Sequence, residues 1–189
     1  GTPLADFSGP RKWQEKILGE ITTHVQRNQS IDTPEMFRYA LASGRGIGKP
    51  ALVAWLILWM LSTRLGSTTV VTANTEQQLR SRTWAELGKW KTLSLNGHWF
   101  HKTATTLRPQ QWFEELLIRD LQIDTGYYYA QAQLWSEENP DAFSGIHSNH
   151  GVCLIMDEAS GIPAPIYSVS EGFFTEPTEN RFWFAFSNP

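Results

Sequence analysis

The stretch from Met36 to Val53 constrains the fold most: an apolar run enters a loop rich in glycine and leaves as a strongly apolar segment. That order reads as strand, phosphate-binding loop, helix. In such loops the pattern is Gly, four residues, then Gly-Lys-Ser/Thr. Backbone N–H groups cradle phosphates, the Lys reaches the β- and γ-phosphates, and the hydroxyl holds Mg²⁺. Here Gly48-Lys49 fits, Gly44, Gly46 and Ile47 fall among the four intervening loop residues, Ser43 stands where the first Gly is expected, and Pro50 stands where the hydroxyl belongs. Proline has neither a hydroxyl nor an N–H, yet it is tolerated in the first turn of a helix. The loop is therefore expected to keep its shape while losing two ligands.

The rest of the chain supports an α/β fold. Trp13, Ile17, Ile21 and Val25 recur at intervals of four, which predicts an amphipathic helix entered through Pro10, after a loose arm over residues 1–9. A first core strand is expected over Met36–Leu41 and an almost wholly apolar helix over Lys49–Arg64, ended by Gly66. The β-branched run within Ser67–Thr72 predicts a second buried strand. Thr75 and Gln78 then form a capping-box pattern at the start of a helix running to Trp90. Strand-like stretches at Trp99–Thr106 and Thr125–Leu134 flank a predicted helix at Pro109–Arg119, and Asn139–Gly145 is a turn. Repeated strand, turn and helix argue for a mainly parallel central sheet flanked by helices.

Two further apolar runs end in polar chemistry. Val152–Met156 is followed directly by Asp157 and Glu158, and Phe182–Phe186 by Ser187 and Asn188. In open α/β sheets ligands bind beyond the carboxyl ends of the strands, so these tips and the glycine-rich loop are expected to share one crevice. There Lys49 would neutralise phosphate charge and Arg45 would add transition-state stabilisation. Asp157 would hold Mg²⁺ through its water shell, Glu158 would act as general base, and Ser187 and Asn188 would sense the γ-phosphate. Taken singly these signals are weaker: glycines also make plain turns, and carboxylates often solvate a strand end. Taken alone, Trp13-Gln14 reads as a core Trp beside an exposed Gln.

Composition bounds the remaining possibilities. With 189 residues, 41% of them hydrophobic, and a formal charge of −3, the chain is sized for one soluble domain and carries no global basic footprint for nucleic acid. The lone Cys153 excludes an internal disulfide and reads as a core residue. The apolar run Ala51–Leu61 is about half the ~20 residues of a membrane span. The five His are not grouped at metal-ligand spacing; His98 and His101 lie three apart with no carboxylate pattern to complete a site.

In four motifs the sequence resembles the ATPase domain of the large terminase subunit, the DNA-packaging motor of tailed bacteriophages and prophages. Pro10-Arg-Lys-Trp-Gln14 looks like the adenine-recognising Q motif, with Trp13 and Gln14 as nucleotide contacts, and Ser43–Pro50 like Walker A, where an arginine such as Arg45 is characteristic. Val152–Glu158 is similar to Walker B with its catalytic Glu, and Phe186-Ser-Asn-Pro189 to the coupling motif. The resemblance implies an additional-strand P-loop NTPase with ATP and Mg²⁺ as cofactors. It further implies a ring of subunits, monomeric in isolation, that drives double-stranded DNA into a capsid in the host bacterial cytoplasm. The implied partners are the portal protein and the small terminase subunit. A C-terminal nuclease domain of RNase H type would lie beyond Pro189, leaving residues 1–189 as a single ATPase domain. Pro50 departs from the family pattern, and Phe143-Ser-Gly145 lacks the arginine that many relatives place before Walker B, leaving Arg80, Arg82, Arg108 and Arg119 as substitutes. Two other readings stand beside this one: a helicase-like P-loop ATPase, which shares the motif order, and a P-loop packaging subunit that binds nucleotide without hydrolysing it.

Overall fold

The structure, a computed structural model, describes residues 9–44, 46–143 and 145–188. The arm before Gly9, Arg45, Ser144 and Pro189 lie outside the described residues. Seven strands form one sheet in the order β1-β7-β6-β2-β5-β4-β3. β1 (Phe37–Ala42), β7 (Arg181–Ser187), β6 (Val152–Asp157), β2 (Thr68–Thr72) and β5 (Tyr129–Ala132) run parallel; β4 (Thr106–Pro109) and β3 (Phe100–Lys102) add an antiparallel hairpin at the edge. β7 lies between β1, which leads into the glycine-rich loop, and β6, which ends in the carboxylates. This is an α/β fold with the additional-strand arrangement.

A parallel sheet must be covered on both faces, and the strand alternation does this here. Val71, Cys153, Ile155, Phe182, Phe184 and Phe186 point into one core with α1 (Lys12–Asn28), α2 (Lys49–Thr63) and α5 (Gln111–Leu121). Their neighbours Val70, Val152, Leu154, Met156 and Trp183 enter a second core on the opposite face, with Ile166 of α6 (Ala164–Ser170) and Phe173 beyond it. Burial pushes the Cys153 thiol well above its ordinary pKa, as expected of a core residue. Among the described residues no helix is long and apolar enough to cross a membrane.

Three features differ from the sequence expectation. The stretch read as one strand at Trp99–Thr106 is a hairpin instead, because Thr103 accepts from the Thr106 N–H through its hydroxyl (2.9 Å) and its own N–H reaches the Thr106 carbonyl (2.8 Å). The helix after β2 is composite: α3 (Glu76–Gln78) passes into a π-helical segment, Leu79–Trp84, before α4 (Ala85–Leu93). α6 forms over a stretch for which no element is expected. Gly66 does end α2, at φ +83°, and a Cβ there would lie 2.5 Å from the His150 ring.

Phe184 is fully buried against Phe37, Phe182 and Phe186. Phe184→Ala is expected to cost about 3–5 kcal/mol in denaturant unfolding. Ile118→Ala, at a residue of α5 that is 55% exposed, should stay within about 0.5 kcal/mol of the parent.

Candidate active site

The site is built on the carboxyl ends of β1, β7 and β6. Leaving β1, the Ser43 N–H donates to the Ser187 carbonyl (3.0 Å), which ties the start of the loop to the end of β7. The loop turns through Gly46 and Gly48, both at positive φ (71° and 92°), where L side chains are strained. Lys49 opens α2 and folds back over the loop. Its ammonium donates to Ser43 O (2.9 Å), Gly44 O (3.4 Å), Ser187 O (3.0 Å) and Asn188 Oδ1 (2.6 Å).

From outside, the amino end of α1 holds three successive loop carbonyls. Arg11 Nη1 donates to Gly46 O (3.4 Å), Trp13 Nε1 to Ile47 O (3.2 Å) and Gln14 Nε2 to Gly48 O (3.0 Å). Gln14 Oε1 also accepts from the Arg11 N–H (2.8 Å). This corrects the reading of Gln14 as an exposed neighbour of a core Trp. Gln14 is the buried residue of the pair, because both ends of its amide are satisfied by backbone, while Trp13 is half-buried.

The carboxylates are fixed by the helical run after β2. Thr83, fully buried, donates to Asp157 Oδ2 (2.9 Å), and the Glu158 N–H donates to Asp157 Oδ1 (3.1 Å). Glu158 adopts a left-handed backbone (φ 55°), and Asn74 Nδ2 donates to its carbonyl (3.1 Å). Its carboxylate accepts from Gln78 Nε2 on Oε2 (2.9 Å) and from Arg82 Nη1 on Oε1 (3.3 Å). Thr75 caps the helix as expected, accepting from the Gln78 N–H at 3.2 Å, but the Gln78 side chain reaches Glu158 rather than back to the cap.

Sequence reasoning missed these roles of Gln78, Arg82 and Thr83. The spacing of four between Gln78 and Arg82 was a usable signal. Thr83 carried none: five residues along an α-helix lies about 140° round from Gln78. The π-helical i→i+5 closure shrinks that offset and brings Thr83 towards the same side.

A cavity of about 300 Å³ opens between these parts, lined by Gly46 to Pro50, Arg82, Asp157, Glu158 and Asn188. The structure thus brings the described loop residues, Lys49, both carboxylates and Asn188 together. Trp13 and Gln14 stand behind the loop, and Arg45 lies outside the described residues. A larger depression of about 640 Å³ lies over Arg38, Tyr167, Glu171 and Trp183, but its cation is already paired with Glu171 at 2.8 Å. Volume is a poorer guide here than chemistry.

The fold has solved counterparts. The large terminase of bacteriophage HK97 superposes with a TM-score of 0.60 at 15% identity, over 95% of this chain and 33% of that one. The large terminase of the thermophilic bacteriophage D6E, solved with ADP, gives 0.62 at 16% identity over 96% and 39%. A mutant ATPase domain of the Thermus phage P74-26 large terminase gives 0.51 at 18% over 79% and 58%. The chain has the fold of a large terminase ATPase domain. It spans between a third and three-fifths of the length of these terminase structures. No protein-family model matches the sequence and no curated protein is closely similar to it. The loop, the carboxylate pair and the β7 tip lie at the carboxyl ends of three adjacent strands, the side on which open α/β sheets bind their ligands.

Burial pushes the Asp157 carboxyl above its ordinary pKa, outweighing the Thr83 hydrogen bond, with Glu158 adding repulsion. The folded chain therefore holds this proton longer than the unfolded chain. The contribution to stability is full below the ordinary carboxylate pKa and is lost as pH rises through the raised value. Asp157→Asn is expected to raise the thermal midpoint of the ligand-free chain at pH 7 and to flatten its pH dependence over the carboxylate range. A midpoint lowered by the substitution would contradict this.

Proposed function

We propose that the chain is the ATPase motor domain of a large terminase, using Mg²⁺ and ATP to drive viral double-stranded DNA into a capsid. The observation that carries this reading is the convergence of Lys49, Asp157 and Glu158 on one cavity at the mouth of a glycine-rich loop. The ADP in the D6E terminase structure supports a nucleotide as ligand. On this reading Lys49 exchanges carbonyl oxygens for β- and γ-phosphate oxygens, and the loop N–H groups receive the phosphates at the positive end of α2. Trp13 and Gln14 set the loop from behind through the Ile47 and Gly48 carbonyls, and the resemblance to the Q motif assigns them the base of the nucleotide. Glu158, held by Gln78, orients the attacking water and accepts its proton. Arg45, from within the loop, adds positive charge to the transition state. Ser187 and Asn188 touch Lys49 and so register whether a phosphate has displaced it.

The residues fit Mg²⁺ through a single carboxylate. Mg²⁺ takes one or two carboxylates together with phosphates and water, and Asp157, held by Thr83 and lining the same cavity as the loop and Lys49, offers one. When bound, the ion would screen phosphate charge. Pro50 supplies neither the hydroxyl nor the N–H of the usual loop. Losing both at a pre-organised site costs about 2–4 kcal/mol of transition-state stabilisation, roughly 30- to 1000-fold in rate. The reading includes a ring of such domains on the portal, acting with the small subunit and double-stranded DNA in the host bacterial cytoplasm. A chain of net charge −3 gains its DNA contacts locally or from the assembly. Pro50 also favours a second reading, a subunit that binds nucleotide without turnover.

Calorimetric titration with Mg²⁺·ATP tests the proposal on the chain, Lys49→Ala and Pro50→Ser. Saturable binding is expected, weakened about 10- to 100-fold by Lys49→Ala, the scale of one charged hydrogen bond. Pro50→Ser should tighten the Mg²⁺-dependent part and raise hydrolysis. Binding without any hydrolysis in Pro50→Ser would favour the non-hydrolysing subunit, and no binding by either form would overturn the nucleotide reading.

A further inference from the structure

Among the described residues lining the cavity, two carry positive charge, Lys49 and Arg82, and they are held in opposite ways. Lys49 is buried and bonded to oxygens of the loop, Ser187 and Asn188. The Arg82 side chain is 64% exposed and meets Glu158 through one N–H at 3.3 Å, long for a charge-assisted bond. Glu158 does not depend on that contact, because Gln78 holds its other oxygen at 2.9 Å and Asn74 holds its carbonyl. Arg82 can therefore leave while the carboxylate stays in place. Its aim at the cavity is built in. The π-helical segment puts Arg82 and Thr83 on the side of Gln78 that faces β6, so the element that fixes both carboxylates also delivers an exposed guanidinium.

We propose that Arg82 is the site's own sensor of the terminal phosphate, exchanging Glu158 for the γ-phosphate of a nucleoside triphosphate and returning to Glu158 when only a diphosphate is bound. This rests on the nucleotide reading of the loop. An exposed, single-contact ion pair is weakly held, whereas a terminal phosphate offers a guanidinium higher charge and paired oxygens. The exchange also frees Glu158 Oε1 for a water when the γ-phosphate is present. Base and phosphate would then become ready together.

Binding of AMP-PNP and of ADP, each with Mg²⁺, separates this from a structural role without requiring turnover. Arg82→Ala should weaken AMP-PNP about tenfold or more, the scale of one lost charged hydrogen bond, and leave ADP within about twofold of the parent. Arg82→Lys should recover part of the loss. Glu158→Gln removes the competing carboxylate and should tighten AMP-PNP up to about fivefold, the range of an exposed ion pair; the gain should vanish when Arg82→Ala is added. Equal weakening of both nucleotides by Arg82→Ala, or no effect on either, would show that Arg82 only positions Glu158 and would overturn the proposal. Failure of the parent chain to bind either nucleotide would instead remove the reading beneath it.

Discussion

A single ammonium group joins the parts of this molecule that matter. Lys49 is buried, and burying a charge costs several kcal/mol unless its donors are met. Here they are met by Ser43 and Gly44 at the end of β1 and by Ser187 and Asn188 at the end of β7. The loop, the first turn of α2 and two strand ends are thus pinned to one another through one side chain. Neutral oxygens satisfy the charge in the absence of a ligand, and phosphate oxygens would satisfy it better. The same bonds tie the loop to the tip of β7.

The sheet order makes that connection short. With β7 between β1 and β6, the loop, the Ser187-Asn188 tip and the Asp157-Glu158 pair lie side by side at the carboxyl ends of three adjacent strands. The antiparallel β3–β4 hairpin sits at the far end of the sheet from β1. Two helical elements then divide the remaining work. α1 grips the outside of the loop through three carbonyls, and the run after β2 reaches across to both carboxylates. Both grips use side-chain N–H and O–H groups that donate to the loop carbonyls and to the two carboxylates, which is how a pre-organised site is held in place.

Much of this was legible in the sequence because the central strands and α2 are apolar runs with little polar interruption. β1, β2, β6, β7 and α2 fall within two residues of the expected limits. The loop glycines and the Asp157-Glu158 pair announced themselves by residue type. What escaped depended on hydrogen bonds that leave no periodic trace. The Thr103 hydroxyl closes a hairpin without Gly, Pro or Asn at the turn, and Gln14 is buried by pairing with the loop backbone. Thr83 faces Asp157 because a π-helical closure alters the helical phase. An α-helical period places that hydroxyl away from the site.

Hydrogen exchange of backbone amides, with and without AMP-PNP and Mg²⁺, tests the central claim most directly, that one crevice at the strand ends receives the nucleotide. The account predicts joint protection of Gly46–Lys49, of residues 78–83 and of Ser187-Asn188, since these segments share one cavity and one hydrogen-bond network. Protection confined to other surfaces, such as the depression over Arg38 and Trp183, with the loop unchanged, would contradict it.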